Sequence, residues 1–204
     1  MATFLELTNE LLSRVNEGLL TATSFASARS VQGTAKNCIN AAIGEIMLSE
    51  KEWSFNFLQG SQTLTVGQEE YPLPVDCDSP DWESFRIRND GTLATKTLPL
   101  ELISRDDWYK YERPYDEDTG GSGRAVPRFV FMSNRNGVLS FGVTPSPDQA
   151  YVVDFDYYSN SQVLENYDDV CRIPDKYRHV VIAGALKHLN MNKEDETISG
   201  SFQG

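Results

Sequence analysis

Thr34 to Phe57 reads TAKNCINAAIGEIMLSEKEWSFNF, and its period changes partway along. Ala35, Cys38, Ile39, Ala42, Ile43, Ile46 and Met47 recur every three or four positions, one apolar stripe at the helical period. Beyond Glu52, Trp53, Phe55 and Phe57 alternate with Ser54, Asn56 and Leu58, which predicts a strand with one aromatic face. A core helix therefore runs almost directly into β structure, and a helical layer meets a β layer at this seam.

Working outward, Thr3-Phe4-Leu5-Glu6 has the form of a capping box, and Phe4, Leu7, Leu11 and Val15 continue it as a helical stripe that Gly18 stops. Leu19 to Gly33 reads as a long connection anchored by Phe25. On the other side, Trp53 to Tyr158 carries β signals. Thr63 to Val66 and Phe85 to Arg88 alternate, Tyr71-Pro72-Leu73-Pro74 is extended, and Asn89-Asp90-Gly91 is a turn. Pro99 makes Leu98 to Ile103 an edge strand, and Ser104 caps a short helix carrying Trp108 and Tyr111. Asp116 to Gly123 reads as a surface loop. Phe129 and Phe131, then Leu139, Phe141 and Val143, flank Asn134-Arg135-Asn136-Gly137 as a β-hairpin. Tyr151, Val153, Phe155 and Tyr157 alternate with Asp154 and Asp156, a strand buried on one face.

Pro174 opens the last helix. From Val180 to Leu186 that helix is apolar on nearly every side, with Gly184 permitting close approach, so it is the centre of a small bundle or a contact between subunits. Lys193 to Gly204 is polar apart from Ile198 and Phe202 and is expected to be disordered unless a partner holds it. The expected fold is α+β. A discontinuous helical domain, 1–52 plus 172–204, encloses a β-rich insertion, 53–171, of six or so antiparallel strands in a sandwich or open barrel.

The bulk composition of the 204 residues is globular, with 40% apolar and 11% aromatic residues. Eighteen Lys and Arg against 30 Asp and Glu give a net charge of −12. No segment clusters the cations that a phosphate backbone needs, which argues against sequence-reading contact with nucleic acid. An acidic wall is compatible with a channel past which DNA slides without adhering. Three scattered cysteines, Cys38, Cys77 and Cys171, suggest a reducing origin without a disulfide framework. No apolar run reaches membrane-span length, and the N-terminus lacks signal-peptide character.

Residues with chemical potential each have a plainer reading. Asp76-Cys77-Asp78-Ser79-Pro80-Asp81 faintly suggests calcium but lacks the glycine turn and terminal glutamate of an EF-hand loop, so its carboxylates read as turn caps. His179 and His188, nine residues apart, are separated by about 13 Å along a helix, too far to share a metal. A Cys171–His179 nucleophile has no supporting motif. Asp154 and Asp156 stand about 7 Å apart along one strand, and solvent-facing alternation accounts for them. Gly120-Gly121-Ser122-Gly123 precedes no helix and is no phosphate loop. Trp82, Trp108, Tyr109, Tyr111 and Tyr115 could stack on sugars, which makes a carbohydrate-binding β module the second reading; a hydrolase built on the carboxylates is the third. Nothing here asks for a metal or a cofactor.

Six segments, in order, resemble the head-to-tail adaptor proteins of tailed bacteriophages, relatives of the tail tubular proteins of short-tailed phages. They are Thr3 to Leu7, Ala35 to Leu48 with Trp53-Ser54-Phe55-Asn56, Gly60 to Gly67, Tyr71 to Pro74, Asp81 to Phe85, and Ile173-Pro174-Asp175-Lys176-Tyr177. The resemblance implies a non-catalytic virion protein, made in the host cytoplasm, that forms a twelvefold ring. Such a ring links the portal protein to the next tail component, a nozzle or tail tube, and continues the DNA channel. Relatives often carry a longer C-terminal helix, the segment that enters the portal. Val180, Val181, Gly184, Ile198 and Phe202 are the expected partner contacts.

Overall fold

The first helix, α1 (Phe4–Arg14), begins at a complete capping box. Thr3 Oγ1 accepts the Glu6 amide at 3.3 Å, and Glu6 Oε2 accepts the Thr3 amide at 2.9 Å. The amides of Phe4 and Leu5 donate to the carbonyls of Asp169 (2.8 Å) and Tyr167 (3.0 Å). Every free donor of the first turn is thus satisfied, half of them from the far end of the chain. The computed structural model describes residues 1–50, 52–88, 97–112, 123–135 and 137–201. The turn expected at Asn89-Asp90-Gly91 and most of the loop at 116–123 lie outside these residues.

The chain divides into two compact units: Met1–Asn56 with Ser161–Gly204, and Phe57–Asn160. In the first, α1 packs with α2 (Val31–Ser49) and with the final helix, which starts after Pro174 and a 3₁₀ turn, Asp175–Tyr177. This final helix, Arg178–Ser201, is longer than expected, because the backbone stays helical through most of the polar end. Leu11, Ile39, Ile43, Ile182 and Ala185 are fully buried between the three helices. The apolar face of Val180 to Leu186 is therefore the centre of a bundle within one chain. A Cβ at Gly184 would lie 3.1 Å from that of Ala42, so the glycine lets the final helix approach α2 closely.

Side-chain amides hold the irregular segments of this unit. Asn9 donates to the Leu20 carbonyl (2.9 Å) and accepts its amide (2.8 Å). Asn40 does the same to Leu164, at 2.9 and 3.0 Å. Gln162 donates to the Val170 carbonyl and accepts the Arg172 amide, both at 2.8 Å. Leu164, Cys171 and Ile173 consequently join the helical core. Phe25, the anchor of the long connection, meets Phe4 edge-on at 5.0 Å between ring centres.

The strand predicted to start at Trp53 starts later. Ser54–Asn56 is a 3₁₀ turn, and β1 is Phe57–Thr63. The indole N–H of Trp53 donates to the Ile46 carbonyl in the last turn of α2 (3.0 Å), which folds the chain back before it can extend. Trp53 and Phe55 stack at 5.2 Å and stay with the helices; of the three alternating aromatics only Phe57 is in the strand.

The second unit is a sandwich of two four-stranded sheets. Its remaining strands are β2 (Glu70–Pro72), β3 (Cys77–Ile87), β4 (Leu98–Pro99), β5 (Glu101–Ile103), β6 (Phe129–Arg135), β7 (Val138–Thr144) and β8 (Val152–Ser159). The strand orders are β1-β8-β3-β4 and β2-β7-β6-β5. The single strand expected over Leu98 to Ile103 is divided at buried Leu100. Its first half pairs with β3, and its second half crosses to the other sheet, running parallel to β6 against the expected antiparallel pattern. The β6–β7 hairpin forms as expected, with Gly137 at φ +81°. Phe85, Phe141 and Phe155 interlock across the two sheets, with centroids 4.9 to 5.8 Å apart.

Two glycines lie beneath aromatic rings. Gly60 is paired with Phe155 across β1 and β8, and Gly142 with Phe131 across β7 and β6. A Cβ at Gly142 would sit 2.0 Å from the Phe131 ring, on which Trp108 stacks at 4.4 Å.

Candidate functional site

Each unit carries an apolar cleft among its described residues. In the helical unit, Ile46, Trp53, Phe55, Ile173, Tyr177 and Val180 line about 210 Å³. Its geometry follows from the local folding described above. The Trp53–Ile46 hydrogen bond fixes one wall, and Pro174 with its 3₁₀ turn delivers Ile173 and Tyr177 to the other. Val180, 43% exposed, stands at the rim. Two segments that carry the family resemblance, far apart in sequence, meet here: Trp53 to Asn56 and Ile173 to Tyr177. The sequence signal for the site was the adjoining aromatic pair after α2, read there as a strand face.

In the β unit, Trp82, Leu102, Met132 and Leu139 line a cleft of about 720 Å³, with Arg105 and Ser133 at its polar edge. Ser133 is 1% exposed, donates to Glu70 Oε1 at 2.8 Å and accepts from Arg105 Nη1 at 3.0 Å. Arg105 Nη2 also lies 3.5 Å from Glu70. The cluster is neutral and internally satisfied, so it ties β2, β6 and the short helix α3 (Arg105–Asp107) together and presents no free nucleophile.

The five expected partner contacts separate. Val181 is 1% exposed inside the bundle and Gly184 faces Ala42, so both act within the chain's own core. Val180 is placed on a cleft. Ile198 falls on the backbone of the final helix, and Phe202 lies outside the described residues.

The other candidates resolve into structural roles. Asp76 lies in a turn, which the Cys77 amide closes on the Pro74 carbonyl at 2.9 Å, and Cys77 to Asp81 open β3. Asp76 accepts the Tyr157 hydroxyl at 3.1 Å, and Asp81 accepts the Glu83 amide at 3.2 Å. Among the described residues no group of His, Cys, Asp and Glu side chains could hold a metal ion. Asp154, expected to face solvent, is 8% exposed and accepts two bonds from Arg88, at 2.8 and 2.5 Å. Asp156 lies 3.9 Å from Arg86. His188 lies 3.2 Å from Glu45 and has no contact with His179. Trp108, named for sugar stacking, is 4% exposed and packed on Phe131, whereas Trp82 stacks on Phe85 and keeps an edge in the β cleft. Tyr115 lies outside the described residues.

The three thiols are free. Burial pushes the pKa of Cys38 and Cys171 up, and burial with the nearby Asp76 and Asp78 charges takes Cys77 to about 11. Thiols so disposed are poor nucleophiles at neutral pH. The Asp169 carboxyl is held below its ordinary range because it accepts the backbone amides of Asn166 and Glu165, which braces the loop that caps α1.

No curated protein matches the sequence. The family model described as SU10 adaptor protein matches residues 2–203, nearly the whole chain. The chain belongs to the SU10 adaptor protein family. It is therefore a structural adaptor of a phage, and the match extends over both units. Among the described residues no helix is long and apolar enough to cross a membrane.

Proposed function

We propose that this SU10 adaptor family member forms a ring, twelvefold by resemblance, that joins the phage portal to the next tail component. Ring subunits surround the DNA channel, and the excess of carboxylates keeps passing DNA from adhering. The observation that carries the reading is the match over residues 2–203, and the helical cleft supplies a contact surface. An exposed apolar cleft rimmed by aromatic residues suits a protein partner. The helical unit is the part that meets the portal and neighbouring subunits, with Val180 at the contact and the last residues, Ile198 and Phe202, completing it. The β unit faces the tail.

Val180→Asp tests this assignment, because the side chain is exposed and its loss leaves the bundle core intact. Imaging of portal co-expressed with the chain is expected to show a ring for the natural sequence and a bare portal for the variant. Normal ring assembly by Val180→Asp would refute the cleft's role. The carbohydrate-binding alternative retains Trp82 at the β cleft and predicts saturable glycan-array binding lost in Trp82→Ala; the adaptor reading predicts no binding.

A further inference from the structure

The four sheet edges are not treated alike. β2 has three residues and ends in Pro72, β4 has two residues and includes Pro99, and β5 has three. Brevity and proline are the ordinary ways of keeping an edge from recruiting another strand. β1 has neither. It runs seven residues, and all seven pair with β8 without a bulge. It also lies inside Trp53 to Gln68, the longest stretch of the sequence without a charged residue.

Its hydrogen-bonding phase can be read directly. The Leu64 amide donates to the Tyr151 carbonyl at 2.7 Å, so Leu58, Gly60 and Gln62 turn their backbone groups toward β8. Phe57, Gln59, Ser61 and Thr63 turn theirs outward, and all four are exposed. The far side of β8 obeys the same alternation, with the Val152 carbonyl accepting the Arg88 amide and the Asp156 amide donating to Ser84 Oγ. Gln62 Nε2 occupies the Thr63 carbonyl at 3.0 Å, which leaves the amides and carbonyls of Gln59 and Ser61 as the open centre of the edge.

We propose that this edge pairs with β1 of a second copy, antiparallel about a two-fold axis at Gly60. Gln59 then lies opposite Ser61 of the partner in a hydrogen-bonded pair, and Ser61 opposite its Gln59, giving four backbone bonds. Gly60 meets its own equivalent in the closely spaced, non-hydrogen-bonded position, where the absence of side chains helps. The sheet becomes eight strands wide. A second copy is the favoured occupant for two reasons. It supplies an edge of the same length and complementary phase, whereas the chain's other described edges are short or interrupted by proline. Also, two chains of net charge −12 repel each other, and β1 belongs to the stretch where charge is absent. A two-fold contact closes on itself and cannot build a ring, so the dimer belongs to the protein before assembly.

Sedimentation equilibrium of the purified full chain, from about 5 to 500 µM, tests the pairing. The mass is expected to rise toward twice 22.9 kDa. Ser61→Pro removes an outward amide while sparing the β8 ladder, and Gln59→Lys adds a charge to the edge. Each is expected to raise the dimer dissociation constant at least about tenfold with an unchanged circular dichroism spectrum. A natural chain that stays monomeric throughout overturns the proposal. So does a dimer that survives both substitutions. A ring-sized species indifferent to both would also refute β1 pairing while leaving the adaptor reading intact.

Discussion

The helical unit and the β unit solve the same problem by different means. Both contain long irregular segments whose backbone groups need partners away from water. The β unit uses ladders and lets the chain change sheets at Leu100, so that its inner strands are satisfied by their neighbours. Among its described residues the helical unit has no sheet, and Asn9, Asn40 and Gln162 act in place of strands, each amide both donating and accepting. Close packing differs too. Glycine admits a ring in the sandwich, at Gly60 and Gly142, and a neighbouring helix in the bundle, at Gly184. A side-chain clamp can be lost by almost any substitution, whereas a ladder bond is lost only when proline removes the amide. The helical unit should therefore be the more fragile to polar changes and the sandwich to steric ones.

The largest effect expected is at Gly142. Gly142→Ala should cost about 3 kcal/mol, since the new methyl meets Phe131, held in place by Trp108, and overpacking of this kind is poorly relieved. Urea unfolding would register it as a shifted midpoint; a change near zero would mean the ring is free to move. Gly184→Leu, a wedge between two helices, should lower stability by about 2 kcal/mol, because part of the longer side chain can escape toward solvent.

For polar changes the ranking reverses between the units. Asn40→Ala strips two partners from buried Leu164 and should cost about 2 kcal/mol. In the sandwich, Ser84→Ala removes an acceptor from the Asp156 amide and a donor from the Asp81 carbonyl, but both partners are only half-buried, so it should cost about 1 kcal/mol. Equal losses in thermal or urea melts would erase the proposed contrast.

The smallest effect is electrostatic. The folded chain raises Cys77 from 9.0 to about 11, so above pH 9 the unfolded chain releases a proton that the folded one keeps. That contribution to stability is complete below pH 9.0 and is lost as the pH climbs toward about 11. Urea midpoints measured across this range should fall more steeply for the natural chain than for Cys77→Ala; parallel curves would contradict the assignment.

Several of these features were legible in advance. The Thr3–Glu6 capping box, the stripe of α2 and the Asn-Gly hairpin are local, and the same few neighbours that define each pattern also build it. The candidate site was legible only in part. Val180 was named, but Trp53 and Phe55 were assigned to a strand because alternation over five residues cannot reveal that an indole N–H will find a helix carbonyl. Val181 and Gly184 were named as partner contacts because an apolar helix does not say whether its own chain or a neighbour will cover it.

By itself the sequence determined the period of α1 and α2, the Thr3–Glu6 cap, the β6–β7 hairpin, the net charge of −12 and the ordered segments of the family resemblance. All of these depend on near neighbours or on sums over the chain. Only the tertiary structure decided which covering each apolar face receives, where one strand leaves a sheet for the other, and that Asp154 is held by Arg88 rather than solvated. Those outcomes rest on contacts between residues far apart in the chain, whose partners no local pattern specifies.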